Sequence, residues 1–308
     1  MSGDHGNSKG NPAPGADRLL RGINQESGLR VAVCQAAGVC SEGVRRHGAD
    51  LVSGWLISEA LTAAVLLSTN LKDQEKFTLR WMYKGPVGTL LADTNAQAQV
   101  RGFPQKISLA EEVFTLKEAI GGPAEIAVIT SVPEKVLRTG IAQAPNGEVI
   151  SDLSHHLNVS FQVPTTLQVG LVIPPEHPVR VTSALGVMVQ TLPGAEKDAF
   201  VAVRDEVDSS SFRDWLEKEE PTLENILNWL EAFTGPVEVL EERAPVFACQ
   251  CSREKVRSVL RLFDASELRD MIEKEGQAQV NCHFCADAYT FSATELESLM
   301  DYHSSGNA

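Results

Sequence analysis

Phe77-Thr78-Leu79-Arg80-Trp81-Met82-Tyr83 sets a bulky apolar residue at every second position, with Thr78, Arg80 and Met82 between them. That period of two belongs to a strand with one face turned to a core. Upstream, Leu29, Val31 and Val33 alternate in the same way with Arg30 and Ala32, and between the two runs Asp50 to Leu71 reads as an apolar helix. Downstream, Gly85-Pro86 breaks the chain before a second strand over Val87 to Ala92 and a third near Gln97 to Gly102, which together make a meander. The runs Ala124 to Val132, Leu167 to Ile173 and Val179 to Leu192 have the same β-branched, alternating character. Strands grouped in this way, with few helices among them, give an α+β core domain of largely antiparallel sheet with packed helices over residues 17–203.

The chain has 308 residues, a size that points to more than one domain. Its net charge of -14 argues against nucleic acid and anionic membrane surfaces as partners. Residues 1–16 are Gly, Asn, Pro and Ser without an apolar run and read as a disordered tail, neither a secretory signal nor a membrane anchor. The longest apolar stretch, Trp55 to Leu67, is interrupted by Ser58, Glu59 and Thr62; it reads as too short for a bilayer and as a buried helix. Residues 204–243 hold twelve acidic against four basic residues and read as an acidic helical linker. Its helices are expected over Phe212 to Lys218 and Leu223 to Phe233, divided by Pro221, with an apolar stripe of Leu223, Ile226, Leu227 and Leu230 that needs a surface to lie on.

The last segment, residues 244–308, is too small for a robust core of its own. It has two capping boxes, Asp264 with Glu267 and Ser292 with Glu295, and Gly276 is placed to end the first of those helices. A short strand, Ala278 to Asn281, delivers Cys282. Four of the six cysteines lie here, in the pairs Cys249-Gln250-Cys251 and Cys282-His283-Phe284-Cys285. A C-x-C and a C-x-x-C brought together supply four soft thiolates, which fill the tetrahedral shell of one Zn2+ and leave no position for a substrate water. Such a site is structural. Its binding free energy of roughly 10–16 kcal/mol rivals the roughly 5–15 kcal/mol that holds an ordinary domain together, so losing the ion should melt the segment. Cys251 precedes a helix beginning near Ser252, whose positive end favours thiolate, and peroxide can carry such sulfurs to sulfenic acid and on to a disulfide with a neighbour. Clustered pairs without a secretory signal fit metal binding in a reducing cytoplasm. His283 reads as a surface residue or an outer donor to the site, Cys34 and Cys40 as buried structural cysteines, and Glu59 as the partner of an arginine at a helix edge.

The residues around the cysteines resemble a known family. Phe247-Ala248-Cys249-Gln250-Cys251-Ser252-Arg253-Glu254-Lys255-Val256, then Glu267 to Ile272, Cys282-His283-Phe284-Cys285 and Tyr289-Thr290-Phe291 are similar to the redox-regulated chaperones of the heat-shock protein 33 family. So are Gly85-Pro86-Val87-Gly88-Thr89-Leu90 with Arg101-Gly102, and Gly186-Val187-Met188-Val189-Gln190 with Leu192-Pro193-Gly194-Ala195. The resemblance implies an ATP-independent holdase, not an enzyme, that is inactive while Cys249, Cys251, Cys282 and Cys285 hold one Zn2+. It implies that oxidation to the disulfides Cys249–Cys251 and Cys282–Cys285 releases the ion and unfolds the C-terminal domain and linker. The active form then binds unfolding client proteins as a homodimer. One departure stands out: where family members commonly carry Ser-Glu-Gln-x-Pro-Thr, this chain has Ser160-Phe161-Gln162-Val163-Pro164-Thr165, with His155 and His156 close by.

Two other readings compete. A thiol-disulfide oxidoreductase needs its C-x-x-C at a helix start in a parallel βαβ unit, and no such repeat surrounds Cys282. A zinc-ribbon binding module for nucleic acid is opposed by twelve acidic against seven basic residues from Glu241 onward. No P-loop and no Ser-His-Asp arrangement stands out.

Overall fold

A computed structural model describes residues 16–109, 113–195 and 197–305. The tail expected over residues 1–16 lies outside the described residues apart from Ala16. Two sheets carry the main body. The first has five strands in the order β10 (Glu238–Arg243), β1 (Arg18–Asn24), β2 (Leu29–Gln35), β9 (Ser183–Thr191) and β8 (Thr165–Val172). The second has six, in the order β11 (Val246–Phe247), β5 (Gln99–Pro104), β4 (Thr89–Asn95), β3 (Lys76–Met82), β6 (Ala124–Val132) and β7 (Lys135–Ala144). Every neighbouring pair is antiparallel except β11 with β5, which is parallel. The α+β class and the β3-β4-β5 meander read from the sequence are therefore present.

Between the sheets lies α2 (Leu51–Leu67), continued by a 3-10 turn over Ser68–Asn70 and started by Asp50, whose carboxylate accepts the Ser53 N–H at 2.8 Å. Its side chains meet β4 and β5 on one side and β2, β8 and β9 on the other, so it is apolar all round. Leu51–Asn70 is 20 residues long, enough to cross a bilayer, which corrects the expectation that the stretch is too short; 83% of its apolar window is nevertheless buried inside the protein. Helices α1 (Ala37–His47), α3 (Leu116–Ile120) and α4 (Val149–His156) complete this layer. A π-helical turn over Leu157–Phe161 follows α4. There Phe161 meets Phe77 edge-on at 6.1 Å, and the Arg138 guanidinium lies 4.1 Å from the ring centre.

The first sheet is buried on both faces. Ala32 and Cys34 of β2 face α2, while Leu29, Val31 and Val33 face a second cluster formed by α5 (Lys197–Val207), α6 (Ser210–Lys218) and α7 (Leu223–Thr234). Into that cluster α7 buries Leu223, Ile226 and Leu230, with Leu227 partly buried, so the apolar stripe of the linker has found its surface. Two glycines permit the close approach: a Cβ on Gly170 of β8 would lie 2.5 Å from Leu216 Cβ of α6, and one on Gly22 of β1 would lie 2.6 Å from Val237. The linker is not wholly helical. Glu238–Arg243 is a strand, β10, that pairs with β1 and is tied to it by Arg18–Glu242 at 2.8 Å and Arg21–Glu241 at 3.3 Å.

The C-terminal lobe holds α8 (Arg253–Leu260), α9 (Ala265–Glu275), the hairpin β12 (Gln277–Asn281) and β13 (Ala288–Ser292), and α10 (Ala293–Ser305). Both expected capping boxes are made, and Gly276 ends α9 in the left-handed conformation at φ 69°. Its fully buried apolar core is Leu260, Leu268, Ala278, Phe291, Leu296 and Leu299 with Cys285 beside it, small for a unit that must stand alone.

Candidate metal centre

Two turns converge on the centre. Cys249 and Cys251 lie between β11 and α8, whose cap Ser252 accepts the Lys255 N–H at 3.2 Å. Cys282 and Cys285 lie in the turn of the β12–β13 hairpin, closed by Cys282 N–H to Asp287 O at 2.9 Å and Ala286 N–H to Cys282 O at 2.8 Å. Ala286 takes a left-handed φ of 59°, which bends the second cysteine back toward the first. The four sulfurs lie within 4.8 Å of one another. Between the two motifs the sulfurs lie 3.7 Å apart for Cys249–Cys282 and 3.3 Å for Cys251–Cys285. A tetrahedron of zinc–sulfur bonds of about 2.3 Å has edges of about 3.8 Å, so the donor set and its spacing fit Zn2+. The C-x-x-C stands in a hairpin turn rather than at a helix start, which is not the setting of a thioredoxin-type site.

The surroundings differ sulfur by sulfur. Burial raises the Cys285 thiol and, less strongly, that of Cys251, which accepts the Tyr289 hydroxyl at 3.1 Å. Burial works the same way on Cys249, but there the Cys251 backbone amide and the Arg101 guanidinium outweigh it and bring the thiol down to about 7. Arg101 Nη1 lies 3.5 Å from Cys249 Sγ, and the same guanidinium donates twice to Asp93, at 2.7 and 2.9 Å. It also lies 3.8 Å from the centre of the Phe284 ring, which meets Phe103 edge-on at 5.0 Å.

Thus the lobe is docked on the second sheet through its own ligand loop. His47 Nε2 completes the contact, lying 3.2 Å from both Gly102 O and Phe284 O, as does the Arg46–Asp287 ion pair at 2.9 Å. His283 is exposed, 5.8 Å from Phe103, with no bond to a sulfur among those described. The sequence reading noted Arg101 and Phe284 only as parts of motifs. The available signal for Arg101 was a cation on the alternating strand that ends the meander.

Cys34 and Cys40 stay apart from the centre. Both are buried; Cys40 Sγ lies 3.4 Å from Thr62 Oγ1, and burial pushes its thiol up to about 12. Glu59 is buried on α2, which desolvates its carboxyl and pushes it up to about 7 against the opposing pull of Arg213 and Trp55. The arginine charge it feels is that of Arg213 on α6 of the linker, which donates to Gln168 at 3.2 Å; no direct ion pair between Glu59 and an arginine is made among the described residues. Near it the linker and main body share a polar cavity of about 350 Å³ lined by Glu148, Ser154, Gln168, Asp208 and Arg213.

The family model described as Hsp33 protein matches residues 17–292. The chain belongs to the heat-shock protein 33 family. Within that family, the 33 kDa chaperonin of Bacillus pumilus (strain SAFR-032) is 31% identical, over 92% of this chain and 98% of its own. That of Bacillus subtilis (strain 168) is 29% identical over 92% and 98%. The crystal structure of the 33 kDa chaperonin (heat shock protein 33 homologue) of Thermotoga maritima matches with a TM-score of 0.80 at 24% identity, over 94% of this chain and 99% of that one. At that identity the match is one of fold, and it covers nearly the whole of both chains.

Proposed function

We propose that this protein is a redox-regulated, ATP-independent holdase that binds unfolding proteins under oxidative stress and is silent while reduced. The observation that carries this is the cluster of four sulfurs in a lobe with a small core, docked through the ligand loop itself. Cys249, Cys251, Cys282 and Cys285 would hold one Zn2+, which supplies the cross-link between two distant turns of the lobe. Two thiolates and one peroxide give one disulfide and two hydroxides, so two such steps consume all four ligands. Neighbour pairing, Cys249 with Cys251 and Cys282 with Cys285, is favoured once the lobe opens, because loops of three and four residues stay close in an unfolded chain. Residues 244–308 would act as the switch domain, 204–243 as the linker and 17–203 as the client-binding core.

Loss of the lobe removes the anchor at the end of β10, and the linker's like charges are then opposed only by its own packing on the first sheet and the pairing of β10 with β1, which warming can overcome. When α5 to α7 lift, Leu29, Val31, Val33, Leu185, Val187 and Val189 lose their cover together, an apolar face of the kind that binds unfolded chains. Joining of two copies in the active form follows from the family resemblance, and a reducing cytoplasm suits thiolates kept ready for oxidation.

The test is metal content and client light scattering on one sample before and after peroxide with mild warming. About one zinc per chain should leave and client aggregation should fall. Release of the metal with unchanged aggregation would end this reading. Sedimentation of the same sample reads the dimer.

A further inference from the structure

The second sheet has two edges, and they are treated differently. The β7 edge is open; a bulge opposite Thr130/Ser131 of β6 breaks it, and it carries Lys135 and Arg138 alongside the exposed Val136, Leu137 and Ile141. The β5 edge is covered. Val246 N–H donates to Ala98 O at 3.1 Å, and Ala248 N–H donates to Val100 O at 2.8 Å. The next outward carbonyl, Gly102 O, is met by His47 Nε2. Thus three successive outward acceptors, at Ala98 just before β5 and at Val100 and Gly102 within it, are all occupied, two of them by β11 and the residue after it.

The cover is short and brings an aromatic anchor. β11 is two residues long, and Phe247 packs against the main core beside Gly43 and under Arg46, whose guanidinium lies 5.6 Å from the ring centre. Val246, its neighbour, is exposed. One residue beyond Ala248 comes Cys249, so the docked lobe clamps the far end of this short strand, through Arg101 to Cys249 and Lys76 to Gln250 at 3.1 Å, beside the packing of Phe247 itself.

We propose that the β5 edge is a client site, at which an extended segment of an unfolded protein adds as a strand in place of residues 246–248 and sets a large apolar side chain in the slot of Phe247. This rests on the switch described above and adds, beside the face uncovered by the linker, a second place at which the client is held and the form in which it is held there. When the lobe unfolds, Ala98 O, Val100 O and the aromatic slot come free at once, the first in the turn that enters β5 and the second where β5 is still paired with β4. Strand addition takes its affinity from main-chain bonds, which every client can make, and asks of the side chains only an apolar residue at alternate positions. The open β7 edge cannot serve as the switched site, because it is already exposed in the resting form.

Hydrogen exchange of the full-length, oxidised, zinc-free protein tests this at the Val100 amide, which faces the same edge as its carbonyl. Two peptides serve as probes: residues 242–249 with Cys249→Ser, and the same peptide N-methylated at Val246 and Ala248. The first should slow Val100 exchange at least about tenfold, as should a heat-unfolded client, and the methylated peptide should not. Equal protection by both peptides would mean apolar contact without strand addition and overturns the proposal. So does a client that is held while Val100 exchanges as fast as before, and in that case the switch itself stands. If zinc is retained, or the released form holds no client, the switch reading fails and takes this site with it.

Discussion

Arg101 is where the chemistry of the sulfurs meets the packing of the main body, since one guanidinium pairs with Asp93, covers Phe284 and touches Cys249. Charge-assisted paired bonds and a desolvated cation–ring contact are each worth on the order of 1–3 kcal/mol. Arg101→Met keeps the stem and removes all three contacts. It should leave zinc content unchanged and speed hydrogen exchange at residues 244–249 about tenfold, roughly 1.4 kcal/mol of lost docking; unchanged exchange would show that the contact holds nothing. Glu59 makes a second prediction, with a definite sign. Its carboxyl is raised in the fold, from 4.5 to about 7, so the folded protein binds the extra proton between those values. Stability then falls as pH rises through that window, and the cost is complete above it. Glu59→Gln should therefore stabilise by up to roughly 3 kcal/mol at pH 8 and by nothing near pH 4. A difference independent of pH in paired denaturant melts would mean that the carboxyl is not perturbed. The sequence made Glu59 visible as a lone acid in an apolar helix, but which arginine charge it feels depended on how the linker folds back.

The elements were legible to different depths for physical reasons. Strand β3 declared itself by alternation and α7 by its stripe, because in each the side-chain period is the burial period; β2 alternates only in side-chain size and is buried on both faces. The strand β10 did not: Glu238, Val239 and Leu240 are all exposed, and only the free edge of β1 makes that segment a strand. Nor did α1, whose buried face includes Gly43 and His47 rather than a run of large apolar residues. The glycines that admit the linker are silent in sequence for the same reason, since their role is a distance. At Gly170 the approach is close enough to test: a branched side chain there must push α6 away from β8, because its first carbon would fall 2.5 Å from Leu216 Cβ. Gly170→Val suits a strand and should leave the sheet intact while loosening the linker. The expected outcome is partial client holding with zinc still bound, accompanied by a red shift from Trp215. A variant with wild-type emission and no holding would show that α6 is not the shield.

At the scale of the whole molecule, the proposed switch needs three units tied in series, and the tryptophans separate them. Trp55 and Trp81 report on the main body, Trp215 and Trp229 on the linker, and the C-terminal lobe has none. In the linker, Trp229 stacks on Phe212 at 4.2 Å, so its emission is tied to the packing of α6 on α7. Removing zinc with a chelator under reducing conditions takes away the cross-link without making a disulfide. The small core of the lobe cannot replace a contribution of roughly 10 kcal/mol or more, so its helices α8, α9 and α10 should melt. Far-ultraviolet dichroism at low temperature should record that loss while tryptophan emission stays as it was, because the main body and linker retain their own cluster of buried side chains. Warming should then shift the emission red as the linker follows, at a temperature below the melting of the two sheets, and zinc with reductant should reverse both steps. If dichroism and emission change together in one transition, the linker and lobe form a single cooperative unit and the serial order is wrong. If neither changes when the metal is stripped, the four sulfurs do not hold the lobe together and the switch has no mechanical basis.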